Sequence, residues 1–128
     1  MIVRRFEQNP LITVDDVKPL LEDSYTFGVF NCAATRMEDD VILLLRVCEK
    51  PFPEPGKLST FVAEERDGRF EVMKHTVPAD DPRGLNYRGA WCPDYTSYMR
   101  LARSRDGIHF EIDDRITVPF MSDYDEFG

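Results

Sequence analysis

The chain has 128 residues, of which 42% are hydrophobic and 31% are charged, a balance typical of a single soluble globular domain. Its formal net charge of −8 argues against nucleic acid as a partner, because binding a phosphate backbone needs a basic surface. A neutral partner such as a sugar fits this charge better, although an anion can still bind in a local basic pocket. The sequence has neither a signal-peptide pattern nor an apolar run of about 18 residues, so we expect no membrane partner.

Cysteine and histidine are too sparse and too scattered for a disulfide framework or a metal centre. The three cysteines are Cys32, Cys48 and Cys92, an odd number that favours a reducing compartment. Their spacings do not suit zinc, and the two histidines, His75 and His109, lie far apart. We therefore expect a cytoplasmic protein without a metal site.

The first half of the chain predicts strands separated by turns, and no segment has a convincing amphipathic helical repeat. Residues 9–19 begin with a turn former and end at a proline, which discourages a continuing helix. Residues 25–40 predict a strand, a crowded turn of polar and small residues, and a second turn at 38–40. The apolar residues 41–50 follow as a strand buried on both faces, interrupted by Arg46.

The second half predicts two hairpins. Residues 50–57 hold three prolines and a glycine, which indicates a loop. Residues 58–77 predict a hairpin with an Asp-Gly turn, and residues 98–113 predict another that turns at 105–107. The interval 78–95 has no clean period and is predicted to be a long irregular loop. The pattern suggests an antiparallel sandwich, barrel or propeller, in which the two hairpins fit successive blades.

Five segments together resemble the N-terminal part of glycoside hydrolase family 130, which contains mostly β-mannoside phosphorylases and some β-mannosidases. They are NPLITVDDVKP, GVFNCAATR, VILLLRV, RLARSRDGIHFE and YDEFG, in this order and across nearly all of the chain. The resemblance implies an all-β fold, a five-bladed β-propeller with antiparallel blades. Residues 1–128 would be a single partial domain, roughly the first blade and part of the second. Because a propeller cut there leaves strand edges uncovered, we expect either a fragment or a homo-oligomer.

The activity implied by the resemblance is phosphorolysis of a β-1,2- or β-1,4-mannoside with inversion, which yields α-mannose 1-phosphate. Inorganic phosphate is the co-substrate and nucleophile, so one catalytic Asp suffices as general acid and no cofactor is needed. Two alternatives stay open. One is a β-mannosidase of the same family, in which water replaces phosphate. The other is a non-catalytic module for carbohydrate binding or assembly.

The family's catalytic Asp belongs to a Glu-Asp-Pro-Arg signature, and Asp80-Asp81-Pro82-Arg83 looks similar to it. In the family, however, the signature follows the segments resembled here by RLARSRDGIHFE and YDEFG, and it leads straight into a strand. We therefore interpret this cluster as a turn, with Arg83 as a possible phosphate or sugar contact. The general acid is expected just beyond Gly128, and the acidic residues near that end are predicted to be solvated: Asp123, Asp125 and Glu126.

The resemblance also implies sugar-binding residues. Asn31 is expected to hydrogen-bond the mannose at the cleaved position, because an amide both donates to and accepts from hydroxyls. The alternative is that Asn31 caps its own turn. Cys32 follows it, where relatives often carry Ser, Pro or Ala. Arg46 is placed at the pocket near the mannose, and its alternative is a structural ion pair with Glu49.

A second group of residues is predicted to contact phosphate or a further subsite. Guanidinium groups read phosphate oxygens in pairs of hydrogen bonds, and exposed aromatic rings can carry a sugar. Packing in a core or an interface is the open alternative for the aromatic side chains. The group consists of Arg36, Arg83, Arg100 and Arg103, with Tyr98, Trp91 and Tyr95 as the aromatic platform.

Overall fold

The computed structural model describes residues 2–79 and 83–118. This part contains one short 3-10 helix, η1 (Val14–Asp16), followed by strands only. The strands are β1 (Ser24–Met37), β2 (Asp40–Pro51), β3 (Lys57–Arg66), β4 (Arg69–Pro78), β5 (Gly84–Tyr87), β6 (Ala90–Pro93), β7 (Thr96–Ser104) and β8 (Glu111–Ile112). No helix within these ranges is long and apolar enough to cross a membrane.

The strands form three antiparallel sheets, which confirms the predicted all-β architecture. The largest has four strands in the order β1-β2-β7-β8, and two-stranded sheets are formed by β3-β4 and β5-β6. β2 therefore has a neighbour on each side. The residues on both of its faces are buried or half-buried, which explains why its sequence is an almost unbroken apolar run.

One face of the four-stranded sheet, called the core face here, packs against the N-terminal segment. Leu45 and Val47 of β2 point into this core, together with Tyr98 and Ala102 of β7. Val17, which follows η1, packs on them and is 2% exposed. The segment before β1 is thus the layer that covers the sheet, although its sequence predicts little regular structure.

The predicted Asp-Gly hairpin is confirmed. β3 and β4 pair from Lys57↔Pro78 to Arg66↔Arg69, which leaves a two-residue turn. Asp67 has a φ of 51° and Gly68 a φ of 74°, the pair of positive angles that a type I′ turn requires.

The second predicted hairpin is present, but its turn is wider than predicted. β8 pairs with β7 through Ala102↔Ile112 and Arg103↔Glu111. The connection runs over residues 105–110 because the Asp106 carboxylate accepts hydrogen bonds from the backbone N–H groups of Ile108 and His109, both at 2.8 Å. An aspartate that binds its own turn in this way stabilises a longer loop.

The prediction of an irregular loop over 78–95 is wrong for residues 84–93. These residues form the β5-β6 hairpin, which turns at Arg88 and Gly89 with φ values of 49° and 85°. Gly84 admits the Trp91 indole, since a Cβ at this position would lie 2.6 Å from a ring carbon. Each strand has only four residues, too few to give a recognisable period in the sequence.

Candidate functional site

Asn31 and Cys32 lie in a β-bulge of strand β1. Phe30 pairs with Arg46 and Ala33 pairs with Leu44, so the two residues between them stand opposite Leu45 alone. The crowded turn predicted here is therefore wrong, because β1 continues through it as one strand. Asn31 has a φ of 37°, a left-handed conformation that asparagine tolerates better than most residues. The bulge lies in an edge strand and changes the direction in which both side chains point.

The bulge opens onto a cavity of about 430 Å³ on the core face, within the range of small-molecule sites. Strand β1 supplies the polar residue Asn31, and β2 supplies apolar residues to the floor. The N-terminal segment and the β7-β8 turn form two of its walls. The lining residues are Asn9, Leu11, Ile12, Val29, Phe30, Asn31, Cys32, Val41, Leu43, Leu45, Gly107 and Phe110.

The Asn31 amide is available for a ligand. The residue is exposed, and its side chain makes no hydrogen bond to any residue in the described ranges. The alternative that it caps its own turn finds no support in the structure. Asn31 therefore lines the cavity with an amide whose donors and acceptor are not used within the described ranges. Cys32 beside it is a free, exposed thiol.

Arg46 lies at the same level of the sheet as the bulge but does not line the cavity. It pairs with Phe30 on β1 and with Met99 on β7. Its neighbours on the strand, Leu45 and Val47, point into the core, so Arg46 points to the opposite face. It is half-buried, and its guanidinium makes no hydrogen bond or ion pair with the residues described. The structure thus places the two predicted mannose ligands one position apart in register.

The alternative of an ion pair between Arg46 and Glu49 is wrong. Residues three apart on a strand point to opposite faces, and the Glu49 carboxylate is fully buried on the core side. It accepts hydrogen bonds from Leu20 N at 2.8 Å, Leu21 N at 3.0 Å and Ser24 Oγ at 2.6 Å. These donors satisfy the buried charge without arginine.

Tyr98 also belongs to this buried group. The prediction that it forms part of a sugar platform is therefore wrong. The side chain is 4% exposed, and its hydroxyl donates to Glu49. Burial, followed by the hydrogen bond to Glu49, raises the pKa of the Tyr98 phenol. Tyr98 therefore stays a neutral hydrogen-bond donor inside the core.

Arg100 is also buried, with 1% of the residue exposed, so its predicted phosphate contact is replaced by contacts within the chain. Its Nη1 donates to the carbonyl of Lys18 at 2.6 Å, and its Nε donates to the carbonyl of Asp113 at 2.8 Å. Its Nη2 lies 3.5 Å from the Asp114 carboxylate. The guanidinium is thereby directed at backbone oxygens rather than at solvent.

The other predicted contacts lie away from the cavity. Arg36 is exposed on β1, and Arg83 is exposed just before β5. Arg103 reaches towards Asp40 at 4.0 Å. In the predicted aromatic platform, Trp91 is 53% exposed, while Tyr95 stacks on Phe27 with ring centroids 6.2 Å apart. The remaining predicted positions lie outside the described residues: Asp80, Asp81, Pro82, Asp123, Asp125, Glu126 and Gly128.

Sequence reasoning missed the walls of the cavity. Leu11 and Ile12 belong to the N-terminal segment, and Phe110 belongs to the β7-β8 turn. The sequence offered one signal for them: residues 11–14 contain three apolar side chains and no charge. In the described part of the chain, no three His, Cys, Asp or Glu side chains are placed to hold a metal ion.

The comparison with known proteins agrees with this architecture. No profile of a known protein family matches the chain. Over 138 aligned residues and 100% of its length, the chain is 34% identical to β-1,2-mannobiose phosphorylase from Listeria innocua. The solved structure of that enzyme in complex with β-1,2-mannobiose covers 91% of this chain, with a TM-score of 0.73. The resemblance to glycoside hydrolase family 130 is confirmed.

The relationship to family 130 covers only part of the relative. The chain spans 39% of the length of the Listeria phosphorylase, and 36% of the chain in its solved structure. More than half of the relative's length therefore lies outside the aligned region.

Proposed function

We propose that this chain belongs to a β-mannoside phosphorylase that cleaves β-1,2-linked mannosides with inorganic phosphate and releases α-mannose 1-phosphate. One observation carries the proposal. The uncommitted Asn31 amide lines an open cavity, in a chain similar to a phosphorylase whose solved complex contains β-1,2-mannobiose. The negative charge of the chain also suits a neutral sugar better than a polyanion.

The cavity combines the two kinds of contact that a sugar needs. Asn31 offers a donor and an acceptor to adjacent hydroxyls, and each such hydrogen bond fixes the orientation of the ring. Leu11, Leu43 and Phe110 offer apolar surface to the C–H faces of the ring. Arg46 points to the other face of the sheet and does not line this cavity, so Asn31 carries the polar contacts to the sugar within it. We assign mannose at the cleaved position to Asn31, and a role for Arg46 at this mannose rests on the family resemblance alone.

The chemistry requires a proton donor and phosphate. We assign the general acid to the Asp of a Glu-Asp-Pro-Arg signature expected beyond Gly128, so none of the described carboxylates carries this role. Inorganic phosphate attacks the anomeric carbon while the acid protonates the leaving oxygen, which inverts the configuration. No cofactor is needed for this reaction.

We also propose that the chain forms the first blade and part of the second in a five-bladed propeller. The four-stranded antiparallel β1-β2-β7-β8 sheet supports one blade, and the β3-β4 and β5-β6 hairpins are inserted between β2 and β7 of that sheet. A homo-oligomer in the cytoplasm remains our expectation for the whole protein.

The experiment uses full-length protein with β-1,2-mannobiose and β-1,4-mannobiose, each with and without phosphate. We expect α-mannose 1-phosphate, detected by ³¹P NMR, only in the presence of phosphate and mainly from the β-1,2 linkage. Release of free mannose without phosphate would instead identify a β-mannosidase. Binding of mannobiose without turnover under either condition would identify a carbohydrate-binding module.

A further inference from the structure

Arg100 lies beside the floor of the Asn31 cavity, on the same face of the sheet. It stands on β7 directly opposite Leu45 of β2, and Leu45 is one of the residues that line the cavity. The two residues share the core face of the sheet, and Arg100 is 1% exposed. A buried arginine at this place needs a reason, because the desolvation of its charge costs free energy.

The guanidinium joins the two walls of the cavity. Through Nη1 it holds the Lys18 carbonyl, which follows the wall formed by Leu11 and Ile12. Through Nε it holds the Asp113 carbonyl, which follows the wall formed by Phe110. Both segments supply walls of the cavity, and one planar group fixes the separation of the residues that follow them.

Arg100 interacts more strongly with these two carbonyl groups than with a carboxylate. The Asp114 side chain is 82% exposed, and its oxygen lies 3.5 Å from Nη2, so this ion pair is weak. Hydrogen bonds from a cation to carbonyl oxygens at 2.6 and 2.8 Å are short and charge-assisted. The fixed fork of the guanidinium reaches both carbonyls at once, whereas a lysine ammonium is a single point of charge.

Glu49 fixes the same N-terminal segment close to Lys18. Its carboxylate accepts from the backbone N–H groups of Leu20 and Leu21. The segment is therefore held at Lys18 by Arg100 and two residues later by Glu49. Since Glu49 does not reach the β7-β8 side, only Arg100 connects the two walls among these contacts.

We propose that Arg100 is a positioning residue that sets the separation of the two walls and thereby the affinity of the Asn31 cavity for a mannoside. The proposal rests on the proposed function in one respect, the identity of the ligand. The tie between the walls is a separate claim that can be measured without any ligand.

The experiment compares full-length wild-type protein with Arg100→Met, which keeps the bulk of the side chain, and Arg100→Lys, which keeps the charge. Thr60→Val is the matched control, because Thr60 is also 1% exposed and donates a buried hydrogen bond to the Pro93 carbonyl at 2.6 Å. Thr60 lies on β3 and does not line the cavity. Two quantities are measured for each variant: amide hydrogen exchange, and the Kd for β-1,2-mannobiose.

For Arg100→Met we expect exchange to rise at least tenfold in residues 9–12 and 107–112 together, with residues 57–66 unchanged. The Kd should rise about tenfold, a loss of about 1.4 kcal/mol in binding free energy. Arg100→Lys should restore part of the protection and part of the affinity. Thr60→Val should lower the melting temperature without either effect. If Arg100→Met does not fold, Arg100→Lys is compared with the wild type and should show a smaller rise of exchange in both walls together with a smaller rise of the Kd.

If amide exchange rises in only one wall, or in neither, then Arg100 does not couple the two walls. Exchange that rises in both walls with an unchanged Kd would overturn the role in affinity. If the wild-type protein binds no mannoside, the proposed function fails, and the exchange data still decide whether Arg100 couples the walls.

Discussion

The Tyr98 hydroxyl donates a hydrogen bond to the Glu49 carboxylate, which is fully buried beneath the four-stranded sheet. This contact joins β7 to β2 on the side where the N-terminal segment covers the core. It gives the buried carboxylate one of its hydrogen-bond donors. The pair therefore belongs to the scaffold that holds the cavity and not to the sugar site.

Tyr98→Phe tests this assignment. The variant removes the hydroxyl and leaves the ring in the core, so we expect a loss of about 2 kcal/mol in the free energy of unfolding. Urea unfolding measures the loss. Tyr95→Phe is the matched control, because Tyr95 is only half-buried and stacks on Phe27, and it should change stability by about 0.5 kcal/mol or less. Equal losses of stability in the two variants would show that the Tyr98 hydroxyl does not stabilise the scaffold.

A second prediction concerns the Asn31 amide. Asn31→Gly removes the side chain and tolerates the positive φ, so the bulge should keep its shape. Asn31→Asp keeps the size of the side chain and loses the two amide donors. We expect both variants to lower kcat/KM for β-1,2-mannobiose about 100-fold in the full-length protein, with the melting temperature within a few degrees of the wild type. Steady-state kinetics and thermal unfolding provide the two measurements. Retained activity in Asn31→Gly would exclude Asn31 from the site.

The local parts of the fold could be predicted from the sequence, and the long-range parts could not. The Asp67-Gly68 turn depends on the backbone preferences of two adjacent residues, so the sequence identifies it. The bulge at Asn31 was predicted as a turn because the same residues suit both structures. Only its pairing with β2 distinguishes the two.

The roles of buried polar residues depend on contacts that the sequence does not reveal. Arg100 resembles a phosphate ligand in the sequence, and its hydrogen-bond partner Lys18 is 82 residues away. Asn31, in contrast, was identified through the family resemblance, and the structure places it at the cavity. Whether it binds mannose stays a prediction. A family resemblance therefore identifies residues that line a site more readily than the buried residues that hold the site in place.

A third prediction separates Arg46 from the other arginines. Because Arg46 has no hydrogen-bond partner in the described ranges, Arg46→Ala should lower stability by less than about 1.5 kcal/mol. The same variant should lower kcat/KM about 100-fold if the guanidinium contacts the substrate, as a charge-assisted hydrogen bond contributes about 2–3 kcal/mol. Arg69→Ala is the control, since Arg69 is exposed on β4, lies outside the cavity lining and has no predicted role in binding. Equal activity of the two variants would place Arg46 outside the site.

The last prediction concerns pH and the β7-β8 turn, which carries Phe110 of the cavity wall. The hydrogen bond from His109, followed by those from the backbone N–H groups of His109 and Ile108, lowers the pKa of Asp106 below its ordinary value of 3.8. A carboxyl group with a lowered folded-state pKa contributes stability above its unfolded pKa and loses it as the pH falls towards the folded value. Asp106 therefore stabilises the turn at neutral pH and ceases to do so in acid.

Asp106→Asn should lower the melting temperature at pH 6, and its difference from the wild type should shrink as the pH falls below about 4. Melting curves between pH 2 and pH 7 measure this. Asp39→Asn, in the exposed turn between β1 and β2, is the matched control and should follow the wild type throughout. Because the β7-β8 turn forms a wall of the cavity, Asp106→Asn should also weaken mannobiose binding at pH 6, where Asp39→Asn does not. A constant difference between Asp106→Asn and the wild type at every pH would show that the Asp106 charge does not hold the turn.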